Sequence, residues 1–295
     1  MQELLNTATL GSIYLLFALG MALAWGTIGI LNFAHGAIFM FSAFVAHLIT
    51  NEVTLPLPVI VLLAALVGAV MSALTQWLAF EQILKRSKDH RAAELRILIG
   101  GIGVAAIPLA IAQKVTRSSP FGFTGSSYQP EVFQLGPLRV TSTALIIIVA
   151  GVGIGVALTW WLKVSRQGLA LRAIGVDAET ASVMGVNRSA LAVATMAIAG
   201  ALAGMAGALL TFHLQAIAPE TGDQLLIKAF AMIVLGGLGS MVGVIVGAFV
   251  LAGAETLVFV TNFGTWVDAV SFGLIFLVLL MRPQGLFGRQ EVRRT

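Results

Sequence analysis

Apolar stretches close to twenty residues long follow one another along almost the whole of this chain, and that recurrence constrains its fold more than any motif. A helix rising 1.5 Å per residue needs roughly 20 apolar residues to cross about 30 Å of hydrocarbon, whereas a membrane β-barrel shows alternating segments of about ten. The unbroken runs therefore predict an all-α fold, a polytopic transmembrane helical bundle. Composition agrees: hydrophobic residues make up 58% and charged residues 10%, against about 25% charged in an ordinary soluble domain. The absence of cysteine excludes disulfides, thiolate metal sites and cysteine nucleophiles. Only Glu3 is charged among the residues before the first run, so that run reads as a retained span and not a cleaved signal peptide.

The first span is expected over residues 4–25. The chain then passes Asn32 and His35, polar groups at what should be lipid depth, and turns apolar again after Gly36 to about residue 50. Further spans are expected over 57–78, 97–112, 143–162 and 191–214, with a charged loop at 81–91 and a longer polar loop at 114–140 that holds a short strand near 132–140. Gly200, Gly204 and Gly207 form a small-residue face suited to close helix approach. Residues 224–235 are short for a crossing and run into Gly236-Gly-Leu-Gly-Ser240, which predicts a broken helix. The last spans are 241–260 and 266–281. No clear internal repeat is present.

Orientation follows from Lys and Arg. The segments 81–96, 163–188 and 282–295 carry five, four and four of the 17 basic residues, leaving Lys114, Arg117, Arg139 and Lys228 for the other side. The basic-rich side is then cytoplasmic, with the N-terminus outside and the C-terminus inside. That assignment needs the short segment at 224–235 to count as a crossing, giving nine spans; leaving it out gives eight and puts Arg289, Arg293 and Arg294 outside. The net charge of +4 reflects this bias, and nothing supports nucleic-acid binding.

Several polar features have two readings. The one long polar, helix-forming segment, Gly168 to Asn187, opens on basic residues and ends at Gly185 as a C-terminal stop before a new cap at Asn187. It is either a docking helix for a soluble partner or an ordinary charged loop. Asn32 and His35 are either satisfied inside the bundle or part of a path through it, and Gly29 and Gly36 bracket them. With Gly236, Gly237 and Gly239 in the second half, they form the pair of interrupted segments that points to a translocation pathway; close helix packing is the alternative. Glu255 and Asp268 fall toward the outer ends of the last spans, either lining an external mouth or reaching water at the interface, and Lys228 is expected to snorkel outward.

Four motifs carry a resemblance. Asn32-Phe-Ala-His-Gly36, the Gly168 to Asn187 segment, Val234-Leu-Gly-Gly-Leu-Gly-Ser240 and Arg282-Pro-Gln-Gly-Leu-Phe-Gly288 occur in the order and spacing of the membrane permease subunits of branched-chain amino acid type ABC importers, the LivH/LivM class, and the chain resembles them over essentially its whole length. The resemblance implies a single permease domain over 1–295, with a coupling segment at 165–188 that engages ATPase subunits. Ala181-Ser-Val-Met-Gly185 is similar to the Ala-x-x-x-Gly core of such a segment, with Gly168, Arg172, Asp177 and Glu179 as further coupling candidates. Leu169 stands where relatives commonly have Arg, which alters a contact in that region. Ala37 stands where they often have Glu, so no role of that acidic position carries over to this chain. The implied partners are two ABC ATPase subunits, a second permease subunit in a homo- or heterodimer, an extracytoplasmic substrate-binding protein and membrane lipid, in a bacterial inner membrane. The implied cargo is an aliphatic amino acid, with urea, short amides or aromatic acids handled by related permeases.

Signatures of an enzyme are missing from the sequence. It has no phosphate-binding Gly-x-x-x-x-Gly-Lys-Ser/Thr loop, so ATP hydrolysis falls to a partner, and no cofactor or metal is called for. His35, His47, His90 and His213 lack metal-ligand spacing. An ion-coupled secondary transporter is the alternative from another class.

Overall fold

The computed structural model describes residues 1–288 other than Ile30, Lys88, Asp89, Pro137, Leu238, Asn262 and Pro283. Arg289, Arg293 and Arg294, on which the orientation partly depends, lie outside the described residues. The apolar runs are helices: α1 (Gln2–Ile28), α2 (His35–Glu52), α3 (Leu57–Leu74), α4 (Glu81–Arg86), α5 (His90–Thr116), α6 (Ser142–Val164), α7 (Arg166–Val176), α8 (Ala178–Val183), α9 (Arg188–Leu214), α10 (Thr221–Gly236), α11 (Met241–Val260) and α12 (Val267–Met281). Among the described residues seven segments are long and apolar enough to cross a membrane, and α2 and α10 are not among them. α2 carries His35, His47, Asn51 and Glu52, and α10 is only 16 residues long.

Three local expectations need correction. Residues 81–86 continue the helical rod of α3 through a π-helical turn at Thr75–Phe80, so the charged stretch begins as helix and not as loop. There the Glu81 N–H donates to Gln76 O, five residues back, and Glu81 Oε1 accepts from Ser189 Oγ at 2.7 Å and pairs with Lys85 Nζ at 2.8 Å. Those partners let a carboxylate sit buried without ending the helix. The strand expected near 132–140 is an antiparallel hairpin, β1 (Val132–Leu135) paired with β2 (Leu138–Thr141), turning at Gly136 with φ 63°. The central polar helix is two helices, α7 and α8, parted at Asp177.

α1 is the innermost helix: 83% of its apolar window is buried, against 11% for α12. It packs on α6, α9, α10 and α11, while α9 packs on α2 and α3. Small residues set the closest approaches. A Cβ at Gly200 would lie 2.1 Å from the Gly68 carbonyl oxygen, and one at Gly204 would lie 2.1 Å from Ala64 O. Gly200 and Gly204 of the expected small-residue face therefore seat α9 against α3, while Gly207 seats it against Phe39 of α2. In lipid, where expulsion of water does not drive helices together, such backbone contact supplies much of the association.

One end of the bundle carries the β1–β2 hairpin and residues 117–130. Phe121 bridges Ile217, Leu55 bridges Ser126, and His47 Nδ1 lies 2.6 Å from Gly122 O. The opposite end carries α4, α7, α8 and the last described residues.

Candidate functional site

The central segment leaves α6 at Ser165, whose Oγ accepts from Gly168 N at 2.8 Å and caps α7. Gly168 is required there because a Cβ would meet the Leu162 carbonyl oxygen at 2.3 Å. Arg172, expected as an outward contact, folds back to donate to the Lys163 carbonyl at 3.2 Å and satisfies the end of α6. Asp177 caps α8, accepting from the backbone N–H groups of Glu179 and Thr180 at 3.0 Å and from Thr180 Oγ1 at 2.6 Å. The Thr180 hydroxyl and N–H hold its carboxyl below the usual range, so the cap is ionised at neutral pH.

Gly185 ends α8 with φ 89°. Val186 N donates to Ala181 O at 3.1 Å and Gly185 N to Ser182 O at 3.0 Å, the paired bonds of a Schellman stop. Asn187 Oδ1 then caps α9 at Ala190 N. Ala181 is buried and Glu179 exposed. What faces outward includes apolar side chains: Val176 at 88%, Val183 at 84% and Met184 at 80% exposed. An apolar tip at the polar, basic end of the bundle is a surface suited to being covered.

The two glycine-interrupted regions fit differently. α1 ends with Gly29 in the left-handed region, φ 70°. Asn32 is buried and turns the chain into α2, its Oδ1 accepting from Ala34 N at 3.0 Å. His35 is fully buried, with Nε2 3.2 Å from Phe17 O and its ring 4.7 Å from that of Phe17. Asn32 Nδ2 and His35 Nδ1 have no partner among the described residues. Gly36 lies inside α2, where a Cβ would meet Gly222 O at 2.3 Å; it is a crossing point of α2 and α10 and does not break the helix.

The other region receives the C-terminal motif. α10 stops at Gly236 and Gly237 follows with φ 99°. Leu286 N donates to Leu235 O at 2.9 Å and Phe287 N to Gly236 O at 3.0 Å, so the last described residues cap α10. Gly237 abuts the Gly288 backbone and Gly236 abuts Gly243 of α11, while Gly239 is a positive-φ turn residue with open space around it. Two motifs read as separate in sequence are thus one packed unit.

At the hairpin end lies a buried ion cluster that sequence reading did not assemble. Glu255 of α11 is 1% exposed. Its Oε2 accepts from Tyr14 Oη of α1 at 2.7 Å, and its Oε1 accepts from Ser271 Oγ of α12 at 3.0 Å and pairs with Lys228 Nζ of α10 at 2.8 Å. Lys228 Nζ also donates to Tyr14 Oη at 3.3 Å and lies 3.8 Å from Asp268 Oδ1. Lys228 therefore turns inward to Glu255 and does not snorkel away, because a buried carboxylate without a cation is far costlier than the pair. Asp268 is exposed at the rim, and Glu255 does not reach the surface. The cluster forms one wall of a cavity of about 620 Å³ between α1, α9, α10 and α11. No local signal joins Lys228 to Glu255; they lie on different helices, and only the tertiary fold pairs them.

Known proteins resemble the chain over its whole length. Residues 3–279 match the sequence model of the branched-chain amino acid transport system / permease component family. The chain is 33% identical to the high-affinity branched-chain amino acid transport system permease protein LivH of Salmonella typhimurium, over 100% of this chain and 97% of that protein. It is 32% identical to the corresponding protein BraD of Pseudomonas aeruginosa, over 100% and 98%. A probable branched-chain amino acid transport permease protein LivH of Methanocaldococcus jannaschii is 28% identical over 94% and 89%. No solved structure matches the chain.

Proposed function

We propose, from the premise that this chain belongs to the branched-chain amino acid transport system permease family, that it is the membrane-spanning subunit of an ATP-driven importer of branched-chain amino acids. It is a multi-pass inner membrane protein with a transport and not a catalytic role. The observation that carries the ATP-driven reading is the α7–α8 segment: two short capped helices end in the exposed apolar tip of Val176, Val183 and Met184, held between α6 and α9. A soluble ATPase dimer that covers this tip moves α6 and α9 together when it closes. Arg172 and Asp177 serve this by fixing the shape of the segment, and Glu179 by offering an exposed charge, worth only about 0–1 kcal/mol as a solvated contact.

In this reading the α7–α8 end is cytoplasmic, following the basic residues, and the hairpin end faces the delivering binding protein. A second permease subunit completes the pathway, with the buried polar groups of Asn32 and His35 as its candidates in this chain. Purification of the tagged chain in mild detergent tests the proposal. A P-loop ATPase should co-purify, and leucine uptake by membrane vesicles should require ATP. Arg172→Glu combined with Gly185→Glu should abolish both. Uptake that follows an ion gradient without ATP, in a complex lacking any ATPase, would overturn the reading.

A further inference from the structure

The ion cluster at the hairpin end has unused bonding capacity facing a cavity of small-molecule size. An ammonium has three donors and a carboxylate about four acceptor positions. Lys228 Nζ directs one donor at Glu255 at 2.8 Å and one at Tyr14 Oη at 3.3 Å, and its remaining neighbour is Asp268 at 3.8 Å, beyond a good hydrogen bond. Glu255 accepts from Tyr14, Ser271 and Lys228, which leaves about one acceptor position. Glu255 is therefore held buried and Lys228 half-buried, yet each can engage one more group. A cation and an anion side by side, each with one position open, match a ligand that carries both charges on adjacent atoms.

The rest of the cavity is mostly apolar, with Asn6, His213, Thr221, Gln224 and Thr256 as its other polar side chains. Leu10, Leu210, Leu214, Leu225, Phe259 and Val260 face it, and its volume of about 620 Å³ lies within the range of small-molecule sites, roughly 300–1,000 Å³. A simple carboxylate would meet Lys228 but be repelled by Glu255 and Asp268; a simple amine would meet the reverse. We infer that the Lys228–Glu255 cluster and its largely apolar cavity form a binding site for a zwitterionic aliphatic amino acid. Lys228 takes the α-carboxylate with its loosely held third donor. Glu255, with Asp268 at the rim, takes the α-ammonium. The side chain lies among Leu210, Leu225 and Phe259. The inference deepens the proposed function and rests on it, since it places the cargo in this chain.

Direct binding of L-leucine to the purified complex tests it, beside 4-methylpentanoate, which lacks the ammonium, and 3-methylbutylamine, which lacks the carboxylate. Leucine should bind at least about tenfold more tightly than either analogue, and Lys228→Met/Glu255→Gln should remove that advantage, since truncating buried charged partners commonly costs that much or more. The double substitution leaves no lone buried charge, and the amide oxygen that Glu255→Gln introduces can still accept from Tyr14 and Ser271. Leu214→Trp, at an exposed position on the cavity wall, provides a second variant: it should weaken leucine more than alanine. Leucine binding by both variants equal to wild type, with the ATPase still co-purifying, would overturn the site alone. Loss of ATPase co-purification from the wild-type chain would instead overturn the parent reading.

Discussion

Replacing Gly200 by Ala probes how much the fold depends on backbone contact between α3 and α9. The new Cβ would lie 2.1 Å from Gly68 O and 2.4 Å from Ser72 Cβ, whereas non-bonded carbon atoms rest about 3.5–4.0 Å apart. The nearest obstacle is backbone, so no rotamer change relieves it, and the helices must part by about 1 Å or more to restore contact distances. Overpacking of this kind costs about 1–3 kcal/mol. Removing the backbone freedom of a mid-helix glycine gives back about 0.5–1 kcal/mol. With a backbone obstacle the cost lies toward the upper end, about 2–3 kcal/mol, and the balance is a net loss of roughly 1–2.5 kcal/mol. Gly153→Ala in α6 carries only the favourable part, because a Cβ there meets nothing within 4 Å; it should stabilise by about 0.5–1 kcal/mol. Thermal unfolding of the detergent-purified chain, followed by tryptophan fluorescence, should show the two variants moving to opposite sides of wild type. Gly200→Ala unfolding at or above the wild-type midpoint would refute the argument.

Three further outcomes are expected. Lys228→Met alone strands the buried Glu255 carboxylate and should destabilise by about 3–5 kcal/mol, more than Lys228→Met/Glu255→Gln, as read from the same unfolding midpoints. Leu286→Pro deletes the N–H that caps Leu235 O and should cost about 1–3 kcal/mol, the desolvation of an orphaned buried carbonyl, with faster proteolysis of the C-terminal segment as a second readout. Asp177, its pKa lowered in the folded state, contributes cap stability that is present above its unfolded pKa and lost only as pH falls through the lowered folded value. Amide exchange at Glu179 and Thr180, corrected for its intrinsic pH dependence, should therefore stay protected from neutral pH down into the ordinary carboxylate range. Asp177→Ala should remove that protection at every pH.

What was legible in the sequence follows the range of the interactions. Helices in lipid satisfy their own backbones, so continuous apolar runs place α1, α3, α5, α6, α9 and α11 directly. Gly185 and Asn187 act within one turn of where they stand, and the stop and cap they form were readable for that reason. The break at Asp177 had a local signal, an N-cap followed by Glu179 and Thr180, but the helix-favouring alanines on either side masked it. The hairpin turns on Gly136, a signal that a single strand over 132–140 ran across. The remaining differences are tertiary. Arg172 is drawn back to an orphan carbonyl of α6, Glu81 stays helical because Ser189 meets it, and Lys228 pairs with Glu255 across two helices. The interlock of Gly236 and Gly237 with residues 285–288 likewise needs the folded bundle before its two motifs meet.

The most direct test of the central claim uses the chain's lack of cysteine. A single Val183→Cys or Met184→Cys places one thiol on the exposed tip of the α7–α8 segment, and Phe133→Cys places one on the hairpin at the opposite end. With a short bifunctional thiol reagent in native membranes, the tip variants should cross-link to a P-loop ATPase, in a yield that changes when ATP is trapped on the complex. The hairpin variant should not. ATPase cross-links from Phe133→Cys, or none from either tip variant in membranes that take up leucine, would contradict the account.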